Sequence, residues 1–158
     1  MISITGKVKF DPQARSGNAA ALFKPGWVIV SLDCDIDNYY AWFIKKRYGI
    51  RVLSPAWGPH ISVVRGFSEE GMIDEKIWNN IKEIYHNREI EFLYDTSPRT
   101  NGNHWWLKVE SEFLYEIREK LGIARQPRWN FHLTVGVPHP LDVNYSHIIK
   151  RNTHGLYW

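Results

Sequence analysis

Two segments of the chain match each other position by position, and this internal match constrains the fold more than any other feature. Segment 55–63 reads PAWGPHISV and segment 127–135 reads PRWNFHLTV. Proline, tryptophan, histidine, a branched aliphatic residue, a hydroxyl residue and valine recur at identical offsets. Two copies are too few for a solenoid, so the match favours one fold built from two related lobes.

The alternation of polar and apolar residues in each segment predicts a β-strand. On a strand, the histidine and the hydroxyl residue two positions later share one face, while the aliphatic residues between and after them point to the core. The polar pairs are His60 with Ser62 and His132 with Thr134. We therefore expect motif strands at about 59–66 and 130–137.

The rest of the chain alternates between strand-like and helix-like segments. Apolar runs bounded by turn residues predict strands, and apolar spacings of three and four residues with charged ends predict helices. The predicted strands are 2–10, 26–33, 88–95 and 104–110, the last two forming a hairpin around TSPRTNGN. The predicted helices are 37–48, 74–86 with Ile77, Ile81 and Ile84 as its apolar stripe, and one that is capped by Ser111 and ends at Gly122. These elements favour a single α+β domain over residues 1–158.

The composition limits the classes of protein to which the chain can belong. Hydrophobic residues make up 44% and charged residues 23%, and no apolar run has the length of a membrane helix. The first residues form neither a charged leader nor an apolar segment, so we expect a cytoplasmic protein without a membrane partner. The single cysteine, Cys34, excludes an internal disulfide and a thiolate-rich metal site. We expect it to be a small buried hydrophobic residue in the strand around Val28 to Leu32.

The net charge of +3 suits a small anionic ligand better than a long nucleic-acid duplex. Aromatic residues make up 15% of the chain and include eight tryptophans. Exposed aromatic side chains are stacking platforms for bases, although most tryptophans pack in cores. Charge and aromatic content together are compatible with a nucleotide ligand.

The two histidines fit the in-line cleavage of a phosphodiester. This reaction needs a base to take the proton of the attacking hydroxyl and an acid to protonate the leaving oxygen. Two imidazoles can hold these opposite protonation states near neutral pH, and Ser62 and Thr134 can donate hydrogen bonds to the nonbridging oxygens. The alternative is a purely structural role, in which both histidines are hydrogen-bonded residues of two similar strands. A metal site is disfavoured, because no carboxylate or thiolate accompanies the histidines.

At these residues the chain resembles the 2H phosphoesterase superfamily, which carries paired His-x-Thr/Ser motifs and includes RNA ligase-like phosphodiesterases. HISV and HLTV match the motif, with Ser62 replacing the commoner threonine while keeping the hydroxyl. The resemblance implies two pseudo-symmetric lobes of antiparallel sheet with flanking helices around a central groove. It also implies that His60 and His132 are catalytic, that Ser62 and Thr134 hold phosphate, and that no metal or cofactor is needed.

A narrower resemblance is to the phage anti-CBASS cyclic oligonucleotide phosphodiesterases. It covers PAWGPHISVVRG, NHWWLKVES and NFHLTVGVP and extends over most of the chain. It implies hydrolysis of the 3′-5′ bonds of cyclic di- or trinucleotides to linear 3′-phosphates, which blocks bacterial CBASS antiviral signalling. The protein would then act in the host bacterial cytoplasm, and no protein partner is expected.

Four further residues are candidate substrate contacts. Trp106 lies on the strand face opposite Trp105 and Leu107, where it can stack a base or pack beneath a loop. Arg65 follows the first motif strand and can bind phosphate or form a surface ion pair. Tyr157 and Trp158 end the chain and can form a lid over a bound nucleotide.

Two other functions stay open at this level. One is a 2H enzyme that trims or ligates RNA ends, with short RNA as its partner. The other is a binding module that sequesters nucleotides without cleaving them. The assignment of base and acid to the two histidines, the base preference, the ring size and the oligomeric state also stay open.

Overall fold

The computed structural model describes residues 1–13, 25–66 and 70–139. These ranges contain eight strands and three helices. The strands are β1 Ile2–Phe10, β2 Trp27–Ser31, β3 Val52–Leu53, β4 His60–Arg65, β5 Glu89–Tyr94, β6 Arg99–Thr100, β7 Trp105–Glu110 and β8 His132–Pro138. The helices are α1 Ile36–Tyr48, α2 Glu75–Tyr85 and α3 Glu112–Lys120. The predicted α+β class is confirmed.

Six of the strands form a closed antiparallel barrel. Their order is β8-β4-β2-β1-β5-β7, and β7 also pairs with β8 and closes the ring. The short strands β3 and β6 add to β8 and β7, respectively. The two motif strands pair directly, because β4 and β8 are neighbours in the strand order.

One face of the strands packs with the helices to form the core. The buried row runs across β1, β2, β4, β8 and β7 through Val8, Val30, Ile61, Leu133 and Leu107. Apolar residues of all three helices belong to the same cluster. Each aliphatic side chain buried here contributes about 1.5–3 kcal/mol of hydrophobic stabilisation. Because side chains alternate along a strand, the opposite face is left for polar residues.

Helix α1 has the charge pattern that was expected from its sequence. Asp37 lies in the first turn, and basic residues 45–47 fill the last turn, which favours the helix dipole at both ends. Gly49 ends the helix in the left-handed conformation with a φ of 70°, and its N–H donates to the carbonyl of Lys45. Glycine adopts this conformation without the steric cost that a Cβ brings.

Two details of the sequence-based prediction are wrong. Helix α2 does not bury the expected isoleucine stripe: Ile77 is 39% exposed and Ile84 is 59% exposed, whereas Trp78 and Tyr85 are buried. The helix is turned so that its larger aromatic side chains enter the core, where they remove more apolar area from water. Cys34 is exposed rather than buried, because β2 ends at Ser31 and Cys34 lies in the loop before α1.

The expected hairpin forms only in part. Strands β5 and β7 pair antiparallel at two positions, and the turn-rich segment between them contains β6, which pairs back onto β7. Across residues 1–13, 25–66 and 70–139, we find no helix that is both long and apolar enough to cross a membrane.

Candidate active site

The two motif strands place their polar residues side by side. In the antiparallel pairing of β4 with β8, His60 lies opposite Thr134 and Ile61 lies opposite Leu133. Extended by one position, this register brings Ser62 opposite His132, so that each histidine adjoins the hydroxyl residue of the other motif. The two histidines are then diagonal neighbours, a relation that separates residues by about 7–8 Å in antiparallel sheets.

Both imidazoles are held by the same local hydrogen bond. His60 Nδ1 donates to the carbonyl of Gly58 at 2.8 Å, and His132 Nδ1 donates to the carbonyl of Asn130 at 2.7 Å. A carbonyl oxygen only accepts, so Nδ1 carries the proton in each ring. In the neutral imidazole, Nε2 is then the basic nitrogen of each histidine.

A tight turn aims the first of these carbonyls. Gly58 N–H donates to the carbonyl of Pro55 at 2.8 Å, and Gly58 has a φ of 68°. A side chain at this position would strain the turn, because L-residues rarely adopt this conformation. The glycine of PAWGPH therefore has a structural role in fixing the His60 ring.

Both histidines are neutral in the unliganded protein at neutral pH. Burial, which penalises the charged form, lowers the pKa of His60 to about 4, with smaller contributions from His132, His104 and Arg65. Burial also lowers the pKa of His132 to about 4, and Arg65 and His104 contribute in the same direction. The hydrogen bonds to the two carbonyls oppose these shifts without cancelling them.

A single pocket of about 640 Å³ contains both histidines, and we call it the catalytic pocket after the reaction that we propose for it below. Six of the eight residues singled out in the sequence line it, namely His60, Ser62, Arg65, Trp106, His132 and Thr134. Tyr157 and Trp158 lie outside the described residues. The structure thus brings the predicted motif residues into one cavity of the size that small ligands occupy.

Trp106 lies against a catalytic candidate rather than on an open surface. Its ring centroid is 5.5 Å from that of His132, and only 3% of the residue is exposed. Trp57 lies beside His60, with its ring edge-on at 5.4 Å. Each imidazole therefore packs against one indole, and base stacking by Trp106 stays a prediction.

Arg65 lies over an aromatic ring at the wall of the catalytic pocket. Its guanidinium carbon is 4.0 Å from the centroid of Trp129, within the range of a cation–π interaction. Trp129 Nε1 donates to the carbonyl of Ser62 at 3.4 Å. This contact ties the segment before β8 to β4.

A buried ion pair supports the same wall from behind. Arg118, which is 1% exposed, forms two hydrogen bonds with Glu70 at 2.7 and 2.8 Å. It also donates to the carbonyls of Val63 and Ala124, both at 2.8 Å. Since α3 carries Arg118 and β4 carries Val63, this side chain ties α3 to the first motif strand.

Several residues of the catalytic pocket were missed as ligand contacts in the sequence. Trp57 and Trp129 were noticed only as matching positions of the repeat, although each precedes its histidine by three residues and lines the pocket. That shared offset is a signal that could have identified them. Trp27, Asn101, Asn103 and His104 also line the pocket, but they lie outside the repeat, and no local pattern distinguishes them.

The similarity of the two motifs extends to their neighbouring strands. On β2, Ser31 and Ile29 lie opposite His60 and Ser62, and on β7, Lys108 and Trp106 lie opposite His132 and Thr134. Both neighbouring strands have a register shift immediately before the second of these residues. In the chain, β4 follows the paired strands β1 and β2 and the helix α1, and β8 follows the paired strands β5 and β7 and the helix α3. Within the described residues, the short strands β3 and β6 have no counterpart at the same place in the other half.

Searches of protein-family models, of curated proteins and of solved structures found no match to this chain. Among the described residues, we find no group of three or more histidine, cysteine, aspartate or glutamate side chains that could hold a metal ion. The geometry of the catalytic pocket is therefore the basis for a functional assignment.

Proposed function

We propose that the protein is a metal-independent phosphodiesterase that uses His60 and His132 as general base and general acid. One observation carries the proposal: two imidazoles with identical Nδ1 hydrogen bonds lie in one pocket, each beside a hydroxyl residue. A histidine held in this way keeps Nε2 for proton transfer, as general acid–base catalysis requires. Two unrelated structural histidines would have no reason to share tautomer, neighbour and cavity.

The reaction consists of two proton-coupled steps. One neutral imidazole takes the proton of the ribose 2′-hydroxyl, whose oxygen attacks the adjacent phosphorus while the bond to the 5′-oxygen breaks. The other histidine, protonated, gives its proton to that 5′-oxygen, which leaves a 2′,3′-cyclic phosphate. Water then opens the cyclic phosphate to a 3′-phosphate, with the two histidines in reversed roles. Ser62 and Thr134 donate hydrogen bonds to the nonbridging oxygens, where negative charge accumulates.

The substrate that we propose is a cyclic oligonucleotide messenger of bacterial antiviral immunity, whose cleavage would block CBASS signalling in the host cytoplasm. A pocket of about 640 Å³ with Trp27, Trp57 and Trp129 in its walls supports a compact ligand that carries bases. The modest net charge of +3 supports a small ring over a long RNA. The two alternatives to a cyclic oligonucleotide hydrolase are an enzyme that acts on RNA ends and a module that sequesters nucleotides, and the experiment below distinguishes them.

The 2H-like arrangement of two lobes belongs to the same proposal. Each half of the barrel provides a motif strand that is preceded by two strands and a helix, and the registers of the two motif strands correspond. The contact between β4 and β8 would be the base of the groove. This correspondence supports descent of both motifs from one repeated unit.

The test is product analysis in excess EDTA. Wild-type protein, His132→Ala and the control His139→Ala, which changes a histidine outside the catalytic pocket, are incubated with 3′,3′-cyclic di-AMP, cyclic tri-AMP and a short linear RNA. We expect the wild type and the control to open the rings to linear 3′-phosphates and His132→Ala to be inactive. Cleavage of the RNA alone would replace the messenger with RNA ends as substrate. Tight binding without turnover would identify a sequestering module.

A further inference from the structure

A second concave site adjoins the catalytic pocket and shares one wall with it. This cavity of about 770 Å³ is lined by strands β1 and β2, by the end of α2 and by Trp57. Trp57 also lines the catalytic pocket, so the two cavities meet at its indole. We call the second cavity the lysine pocket, after Lys7, Lys9 and Lys82 in its lining.

The strand register links the lysine pocket to the catalytic histidines. Lys7 lies opposite Ser31, which lies opposite His60, and the three residues form one row across β1, β2 and β4. Lys9, Ile29 and Ser62 form the next row. Directly paired residues point to the same face of a sheet, so both lysines lie on the catalytic face. Two strand spacings amount to about 10 Å, a distance that one or two nucleotide units span.

The side chains of the lysine pocket favour an anion. Three lysines line it against two carboxylates, those of Asp11 and Asp33. Lys82 is paired with Asp11 at 2.7 Å, so these two charges offset each other. Lys7 contacts Glu89 only at 3.8 Å, in an exposed pair of a kind that contributes little. Lys9 donates one hydrogen bond to Asn87, and an ammonium group has three donors.

His86 provides a neutral donor in the same lining. The N–H of Phe10 donates to His86 Nδ1 at 3.1 Å, so this nitrogen carries no proton. Burial, with Lys9 and Lys82 nearby, lowers the pKa of His86. The neutral ring therefore carries its proton on Nε2, where it is a hydrogen-bond donor. Lysine ammoniums and an imidazole N–H are a donor set that suits phosphate oxygens.

We propose that the lysine pocket binds a second phosphate of the same oligonucleotide whose neighbouring phosphodiester lies between His60 and His132. Lys7 and Lys9 are the residues that make this contact, and Trp57 separates the two phosphate positions. The proposal rests on the phosphodiesterase function and adds that the enzyme distinguishes substrates by the number of their phosphates.

The test measures binding in the His132→Ala background, in which substrates are not consumed. The probes are adenylyl-(3′→5′)-adenosine, with one phosphate, and its 5′-phosphorylated and 3′-phosphorylated forms, each with two. Lys7→Gln/Lys9→Gln is compared with Lys45→Gln/Lys46→Gln, which removes the same charge from the last turn of α1, outside both pockets. Dissociation constants are measured by calorimetry at several salt concentrations.

We expect at least one two-phosphate probe to bind about tenfold more tightly than the one-phosphate probe, with a steeper salt dependence. This gain should disappear in Lys7→Gln/Lys9→Gln and persist in the control. A second phosphate that adds no affinity, or a gain that survives the loss of both lysines, overturns the proposal.

Cleavage by the otherwise wild-type protein separates this proposal from the one on which it rests. If substrates are cleaved but the second phosphate has no effect, only the lysine pocket is misassigned. If nothing is cleaved while the lysine-dependent gain is present, the second phosphate site stands and the phosphodiesterase assignment fails.

Discussion

The motif strands β4 and β8 agree in their local geometry and differ in their surroundings. In both, the histidine donates from Nδ1 to the carbonyl two residues before it, contacts an indole and lies beside a hydroxyl residue. His60, however, is 7% exposed and lies opposite Ser31, whereas His132 is more exposed and lies opposite Lys108. The shared features fix the tautomer and the orientation of the imidazoles.

The differences correspond to the asymmetry of the proposed reaction. In-line cleavage of a phosphodiester has an attacking hydroxyl on one side of phosphorus and a leaving oxygen on the other. Two imidazoles of like geometry would therefore contact two different groups, one the hydroxyl and the other the leaving oxygen. Under this proposal, the repeated backbone geometry serves both proton transfers, and the unlike residues around each histidine meet the unlike sides of the substrate. Four measurements on the catalytic pocket test this division.

The largest effect is expected from the histidines themselves. His60→Ala and His132→Ala should each lower kcat by about 10³-fold, because each removes one of two required proton transfers. The double variant should be little worse than either single variant, since residues that act as a unit are not additive. Single-turnover rates on a cyclic dinucleotide measure this. A loss confined to one histidine would show that the two strands do not share the chemistry.

Much of this site could be predicted from the sequence, because the two copies of the repeat share residue types at the same offsets. The Pro, Trp, His and hydroxyl offsets identified both strands, and the period of two assigned His60 and Ser62 to one face. The direct pairing of β4 with β8 could not be predicted in this way. Strand order depends on contacts between residues distant in the chain, and no local pattern encodes them.

The hydroxyl residues should have the next largest effect. Ser62→Ala and Thr134→Ala should each reduce kcat by about 10²-fold with little change in KM, because their hydrogen bonds strengthen as charge develops on the nonbridging oxygens. Ser62→Thr and Thr134→Ser, which keep the hydroxyl, are the matched controls and should retain most activity. Equal losses in the alanine and the hydroxyl-keeping variants would indicate a packing role.

The pH dependence should follow from the lowered pKa values of both histidines. One of them must be protonated as the acid, and with pKa values of about 4 this form is scarce in the free protein above about pH 5. We therefore expect kcat/KM to fall about tenfold per pH unit above that point.

The pH dependence of kcat should differ from that of kcat/KM. Bound phosphate favours the imidazolium, so kcat, which reports the complex, should persist to higher pH. Rates measured at constant ionic strength from about pH 4.5 to 8 give both profiles. The apparent pKa values in these profiles belong to the pair of histidines and not to either residue alone. A value of kcat/KM that stays constant up to about pH 7 would contradict the assignment.

The surroundings of the two histidines were harder to predict than the motifs. Trp106 was recognised as lying on the face opposite Trp105 and Leu107, but its burial against His132 depends on the pairing of β7 with β8, which puts Trp106 opposite Thr134. The prediction that α2 buries its isoleucine stripe was wrong, because periodicity alone does not show which of two adjacent apolar faces of a helix is buried. Trp78 and Tyr85 determined the rotation of that helix.

The smallest effect should separate a tryptophan that binds substrate from one that supports a histidine. Trp129 is partly exposed in the catalytic pocket, so Trp129→Leu should raise KM about tenfold through the loss of base stacking and leave kcat within about twofold. Trp106 is buried against His132, so Trp106→Leu should lower kcat, with little effect on KM. Steady-state kinetics on a cyclic dinucleotide measure both constants, and thermal unfolding verifies that each variant is folded. If Trp106→Leu instead raised KM alone, Trp106 would be a base platform, and the two strands would differ more in substrate contact than their shared backbone geometry implies.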